Sequence, residues 1–244
     1  MRQLRKLSDL RGYGLKASDG EIGHLKQIYF NDRSWIVRYL VVRTGNWLLG
    51  QDVLIVPSVI QEVDEENGLI DVKLTRARIE SCPPVDTKLP VSRHYEQEYY
   101  NHYGWEPYWI SDPLQEAAPT FPPLQAAEPP EQPDDPHLRS SDEVDGYHIQ
   151  AQDGEIGHVK DFILDDQDWT VRYLEIATRH WLPGKKVLIS PAWIRKIEWV
   201  EQKVMVDLGT EAIKTAPEYD PSEIIGRDYE LTLYKHYGKA LHPH

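Results

Sequence analysis

Short runs of alternating apolar and polar residues, broken by turn dipeptides, recur along the first part of this chain. Asp19-Gly20 is a strong turn signal because glycine tolerates positive φ. Ile22 to Phe30 then predicts a strand, with Ile22, Ile28 and Phe30 on one face and Leu25 and Tyr29 on the other. A second turn, Asn31-Asp32-Arg33-Ser34, leads into Trp35 to Val42, where both faces are largely apolar. Such a strand is expected to be covered on both sides. Val53 to Val56 is a short buried strand stopped by Pro57, and Ile60 to Val63 continues beyond it. Glu66-Asn67-Gly68 predicts a hairpin turn before Leu69 to Leu74. From about Ser92 the period changes. Tyr95, Tyr99 and Tyr103 stand at helical spacing, and Gly104 falls where a helix C-cap glycine belongs.

The whole pattern then occurs again. Asp19-Gly20-Glu21-Ile22-Gly23-His24 recurs as Asp153-Gly154-Glu155-Ile156-Gly157-His158, an offset of 134 residues. The same offset carries Val37-Arg38-Tyr39-Leu40 onto Val171-Arg172-Tyr173-Leu174, Trp47-Leu48 onto Trp181-Leu182, and Val53-Leu54-Ile55 onto Val187-Leu188-Ile189. It carries His102-Tyr103-Gly104 onto His236-Tyr237-Gly238, with no insertion or deletion from Gly12 to Gly104. The chain is therefore an internal duplication. The reading divides it into a first module over residues 1–110, a linker over 111–145 and a second module over 146–244. The linker carries two Pro-Pro pairs and one basic residue against nine acidic ones, a composition expected to stay extended.

Charge and cysteine usage narrow the function. The net charge is −13, but eight of those charges belong to residues 111–145, and the modules are nearly balanced with no basic stripe. Binding driven by nucleic-acid phosphates has little support. One cysteine, Cys82, excludes an intrachain disulfide and a cysteine-based metal cluster. No run of about 20 apolar residues suggests a membrane span, and no apolar signal core follows the basic start, so a cytoplasmic chain is expected.

The ordered set Asp-Gly-Glu-Ile-Gly-His, Trp-x-Val-Arg-Tyr-Leu, Trp-Leu-x-Gly and Val-Leu-Ile-x-Pro, present in both copies, resembles the PRC-barrel domain. That family is named for the cytoplasmic domain of the photosynthetic reaction centre H subunit and includes the C-terminal domain of a ribosome maturation factor. Tandem bacterial members, with their Tyr-x-x-His-Tyr-Gly ending, look most similar. The resemblance implies a mainly β chain: two small, closed, six-stranded barrels, each followed by a short helix. It implies protein–protein contacts and no catalytic residues to carry over. Unlike the reaction-centre subunit, this chain shows no membrane-spanning segment.

The candidate residues follow from these patterns. Trp47-Leu48 and Trp181-Leu182 fall in a loop between strands, where they either anchor a partner or plug a barrel end. Tyr103 and Tyr237 close the helical stripe and could meet a partner or the other module. Arg38 and Arg172 lie mid-strand between apolar neighbours and suit an ion pair within their own module, or a partner's carboxylate or phosphate. Asp19, Glu21 and His24 invite a metal or acid–base reading, as do their copies up to His158. Residues three apart on a strand face opposite ways, so a turn followed by a half-buried histidine is the simpler account. The expected function is a protein-binding adaptor with two tethered modules, without metal or cofactor. A peripheral subunit of a membrane complex and a metal-dependent hydrolase using the repeated turns stand as alternatives. A pairing of the two modules as a pseudo-symmetric dimer, with the Tyr-rich helices in contact, is compatible with the first two.

Overall fold

A computed structural model describes residues 3–87, 91–111, 137–178 and 185–240. In the first copy the chain runs through β1 (Leu4–Lys6), α1 (Leu7–Leu10), β2 (Gly14–Ala17), β3 (Gly20–Asn31), β4 (Val37–Thr44), β5 (Asp52–Ile55), β6 (Ile60–Asp64) and β7 (Leu69–Val72). Three helices follow, α2 (Arg76–Glu80), α3 (Arg93–Tyr103) and α4 (Tyr108–Ser111). The second copy repeats the order as β8 (Leu138–Ser140), α5 (Ser141–Val144), β9 (His148–Ala151), β10 (Gly154–Asp165), β11 (Val171–Ala177), β12 (Lys186–Ile189), β13 (Ile194–Glu198) and β14 (Lys203–Val206), then α6 (Thr210–Lys214) and α7 (Arg227–His236). Of the expected linker, residues 112–136 lie outside the described residues. Its last part is ordered structure, because β8 and α5 occupy 138–144.

The expected closed barrels are not formed. Each copy builds an open sheet, in the order β5-β4-β3-β2-β7-β6 for the first and β12-β11-β10-β9-β14-β13 for the second. Closure would require β5 to pair with β6, and β12 with β13. These strands are consecutive, but a one-turn 3-10 segment, Pro57–Val59 or Pro191–Trp193, separates them and redirects the chain. A proline opens each segment, and its missing N–H cannot serve a strand ladder.

The seventh strand of each sheet comes from the other copy. β1 pairs antiparallel with β10, Leu4 opposite Asp165, and β8 pairs with β3, Leu138 opposite Asn31. The short helix behind each arm goes with it: Leu7 and Leu10 of α1 are each 1% exposed, and the Ser8 N–H donates to the Asp161 carboxylate of β10 at 3.1 Å. On the other side the Ser141 hydroxyl accepts from the Ile28 N–H of β3 at 3.2 Å. The copies thus exchange N-terminal arms reciprocally, which welds what the sequence suggested were tethered beads. Trp35 and Trp169 complete the junction. Both have left-handed backbone, with φ of 60° and 54°, and each carbonyl accepts from a valine N–H of the other copy at 2.8 Å, Val171 and Val37. Left-handed backbone costs a non-glycine residue about 1–3 kcal/mol. The cross-module bonds and the packing of Phe30 on both Trp35 and Phe162, with ring centroids 5.1 and 5.6 Å apart, offset that cost.

The helical expectation holds over Arg93–Tyr103. Ser92 caps its start through the Tyr95 N–H, and Gly104 ends it at φ 68°. This helix packs on its own sheet rather than on its copy: the Tyr99 hydroxyl donates to the Leu54 carbonyl at 3.0 Å.

Candidate functional site

The repeated Asp-Gly-Glu-Ile-Gly-His segment is accounted for by folding. The Asp19 carboxylate accepts from the Arg76 N–H at the start of α2 at 2.8 Å, and Asp153 takes both the N–H and the hydroxyl of Thr210 at the start of α6. These contacts hold both carboxylates; that of Asp153 lies below its ordinary value, chiefly because of the Thr210 backbone bond. Ile22 and Ile156 are buried. A Cβ on Gly23 would stand 2.0 Å from the Arg43 carbonyl oxygen, and one on Gly157 2.2 Å from that of Ala177, so both glycines are required by the approach of the neighbouring strand. His24 is exposed, and His158 is half-buried beside the pairing with β9. Among the described residues no three His, Cys, Asp or Glu side chains converge as a metal site would require.

The remaining sequence candidates divide. The Trp47 indole N–H donates to the Ile22 carbonyl at 2.6 Å, and the Arg76 guanidinium lies over its ring, so this tryptophan is half-buried and held to its own module. Leu48 is half-buried as well, while the next residue, Leu49, is 87% exposed. Trp181 and Leu182 lie outside the described residues. Tyr103 is buried and stacked on Trp105 at 4.3 Å, and Tyr237 is buried against Trp193 at 4.7 Å. Both rings belong to the interior. Arg172 pairs with Asp165 at 3.2 Å and with Asp168, within its own module. Its counterpart Arg38 lies over the Tyr108 ring, 4.1 Å from its centre.

A buried pair that the sequence reading passed over supports each sheet. The Tyr39 hydroxyl donates to Glu96, and the Tyr173 hydroxyl to Glu230, both at 2.8 Å. Burial, followed by the nearby carboxylate, pushes both phenols far above their ordinary range, so they act as fixed donors. The signal was present in sequence as two glutamates, one per copy, on the apolar stripe of each predicted helix.

The feature able to meet another molecule is a pair of clefts flanking the module junction. The first, of about 440 Å³, lies between the Asp32–Trp35 turn of the first copy and the Pro191–Ile197 stretch of the second. The second, of about 650 Å³, lies between Asp166–Trp169 and Pro57–Val63. These are the same place twice: adding 134 to Pro57, Ile60, Gln61, Glu62 and Val63 gives Pro191, Ile194, Arg195, Lys196 and Ile197. Each cleft runs along the outermost strand of a sheet, β13 in one and β6 in the other.

Their chemistry differs. The first cleft carries Arg33, Arg172, Arg195 and Lys196 against Asp32, and the second carries Arg5 against Glu62 and Asp166. Arg33 is replaced in the other copy by Gln167, Arg195 by Gln61 and Lys196 by Glu62. Ser190, which lines the first cleft within 3.5 Å of the Tyr234 hydroxyl, corresponds to the buried Val56 of the other copy. No sequence motif marks these residues. Comparing the charges of equivalent positions in the two copies would have found them, but only folding shows that Arg33 and Arg195 share one cleft.

Residues 139–213 match the PRC-barrel domain family. The matched stretch begins within the β8 arm and runs through the second sheet to α6. No curated protein sequence matches the chain.

Proposed function

We propose that this chain is a non-enzymatic protein-binding scaffold: two PRC-barrel-like modules, joined by arm exchange into one body that presents two contact faces at a fixed separation. The observation that carries the reading is the pair of equivalent clefts, each bounded by an outer strand and each open to solvent. The second copy's match to the PRC-barrel domain supports an interaction module, and the first copy joins it through the internal repeat. The repeated turn motif, the strongest candidate for chemistry, is occupied by helix capping and close strand packing, which favours binding over catalysis. No helix among the described residues is long and apolar enough to cross a membrane. A cytoplasmic location remains part of the proposal.

The test is affinity capture with the intact chain as bait, from soluble and detergent-solubilised membrane fractions of the source organism. The expected result is a discrete protein recovered in stoichiometric amount and retained on dilution. Recovery of nothing above background from either fraction, together with turnover of a small molecule by the purified chain, would overturn the scaffold reading.

A further inference from the structure

We infer that the cationic cleft along β13 binds an extended acidic peptide segment of a partner protein, added as a strand to the sheet. This rests on the scaffold reading and gives its site and the chemistry of its ligand.

Three observations converge on it. First, β13 is the end strand of its sheet: one side pairs with β14, and no described strand pairs with the other. An outer strand presents N–H and C=O groups at the spacing of an incoming strand, and backbone bonding there supplies affinity for extended peptides of many sequences. Second, the cations beside that edge are gathered from separate segments. Arg33 arrives from the turn of the first copy, while Arg195 and Lys196 belong to β13 itself. Arg33 and Arg195 are exposed. Arg172 is already neutralised by Asp165 and Asp168, and Asp32 by Arg139, with His137 also within hydrogen-bond distance of its carboxylate. Lys196 meets Glu198 at 2.6 Å at the exposed rim, a pair that an incoming carboxylate can replace at little cost. Third, Val171, Ile194 and Ile197 supply apolar lining between the charges, which suits a peptide alternating acidic and apolar side chains.

The twin cleft shows that this chemistry is not a by-product of the fold. Blunting an outer strand requires only charge, and β6 does so with Glu62, where β13 has Lys196. Nothing in edge protection calls for an arginine at position 33, across the junction on the other copy. A small cleft with a partly apolar lining also favours a peptide over a membrane surface or a nucleic acid, in a chain whose net charge is −13.

The experiment uses the full chain and a fluorescein-labelled peptide alternating glutamate and valine, followed by fluorescence anisotropy. The same peptide with glutamine in place of glutamate, and one with alternate backbone nitrogens methylated, serve as probes of charge and of strand addition. The proposal expects binding that weakens at least 10-fold in the Arg33→Gln/Arg195→Gln/Lys196→Glu variant, which carries the twin cleft's residues. It expects comparable losses with either altered peptide and a gain of binding in the reverse variant Gln167→Arg/Gln61→Arg/Glu62→Lys. All six positions lie at the surface turn or outer strand, and circular dichroism checks that the fold is kept. Binding equal in the wild type and the first variant overturns the site. Binding unaffected by backbone methylation overturns strand addition. If the peptide fails while phosphatidylserine vesicles or duplex RNA bind and the first variant loses them, the peptide occupant is wrong. A cellular partner captured equally by wild type and first variant would leave the scaffold standing and remove this cleft from it.

Discussion

The arm exchange makes a prediction that no description of two tethered beads would make. Leu10 belongs by sequence to the first copy but is buried at 1% exposure where α1 lies on β10 of the second. Replacing it with alanine removes three carbons from a packed interior. Lost transfer energy and the residual cavity together cost about 2–5 kcal/mol for such changes, so roughly 3 kcal/mol is expected. In a chain of this length that lowers the melting midpoint by roughly 6–12 °C. The informative readout is its location. Hydrogen exchange followed by mass spectrometry should show peptides covering β10 and β11 losing protection by about 100-fold, the equivalent of 3 kcal/mol. Those residues lie more than 140 positions from the substitution. Loss confined to β2, β3 and β4, with β10 unchanged, would mean that α1 packs on its own sheet and that the exchange is wrong.

Other residues yield narrower tests. Gly157→Ala places a Cβ about 2.2 Å from the Ala177 carbonyl oxygen, so β10 and β11 must separate. A cost of about 2–3 kcal/mol is expected in urea titration, and a neutral result would show that the strands give way freely. Burial raises the pKa of Asp52, but the Thr87 hydroxyl, Lys26 and Arg43 outweigh it and hold the carboxyl below its ordinary value of 3.8. A carboxyl depressed by folding stabilises the fold above its unfolded value, and that contribution is lost as pH falls through the folded one. Asp52→Asn should therefore lower stability at pH 7 and much less at pH 3, and an equal loss at both would refute the pairing. Burial pushes the Cys82 thiol from 9.0 up to about 11. At pH 8 its thiolate fraction falls about 100-fold, and iodoacetamide should label it about 100 times more slowly than the urea-unfolded chain. Equal rates would show the thiol to be freely accessible.

What was legible in the sequence follows the range of the physics involved. Local periodicity located β3 to β7 and α3 because each strand's buried face repeats every second residue and the helix stripe every fourth. The duplication was readable because equivalent positions retain the same side chains. Closure was not readable: the interval from Ile55 to Ile60 allows either a pairing or a turn away, and Pro57 within a 3-10 turn decides for the latter. The exchange was invisible for a different reason. Leu4 to Leu10 places a leucine at every third position across a short strand and a helical turn, and nothing in seven residues states which of two similar sheets they fit. Tyr103 and Tyr237 show the limit of reading aromatics as contacts, since the stripe that suggested a partner surface is the helix's own buried face.

The two arms are nonetheless not interchangeable, and their differences explain why the exchange is reciprocal. Lys6 on the first arm lies 3.9 Å from Asp161, whereas its equivalent Ser140 bonds to Gln27, the equivalent of Asp161. Asp161 also accepts from the Phe162 N–H at 2.8 Å, so the second sheet satisfies that donor internally. The first sheet has glutamine there, and the Ile28 N–H is served by the Ser141 hydroxyl of the visiting arm. Leu7 stands where the other arm has Ser141, so the first arm seated on its own sheet would force a larger side chain into a fully buried position and withdraw the acceptor from Ile28. Ser141→Leu reproduces both faults. The unsatisfied buried N–H costs about 1–3 kcal/mol and the overpacking a similar amount, giving roughly 3 kcal/mol or more. Ser141→Ala carries only the first fault and should cost about half as much. Thermal melts of the three proteins check the order, wild type above Ser141→Ala above Ser141→Leu. A Ser141→Leu protein as stable as the wild type would mean that either arm fits either sheet. The exchange would then be a matter of chain connectivity alone, and not of a recognition surface that diverged after duplication.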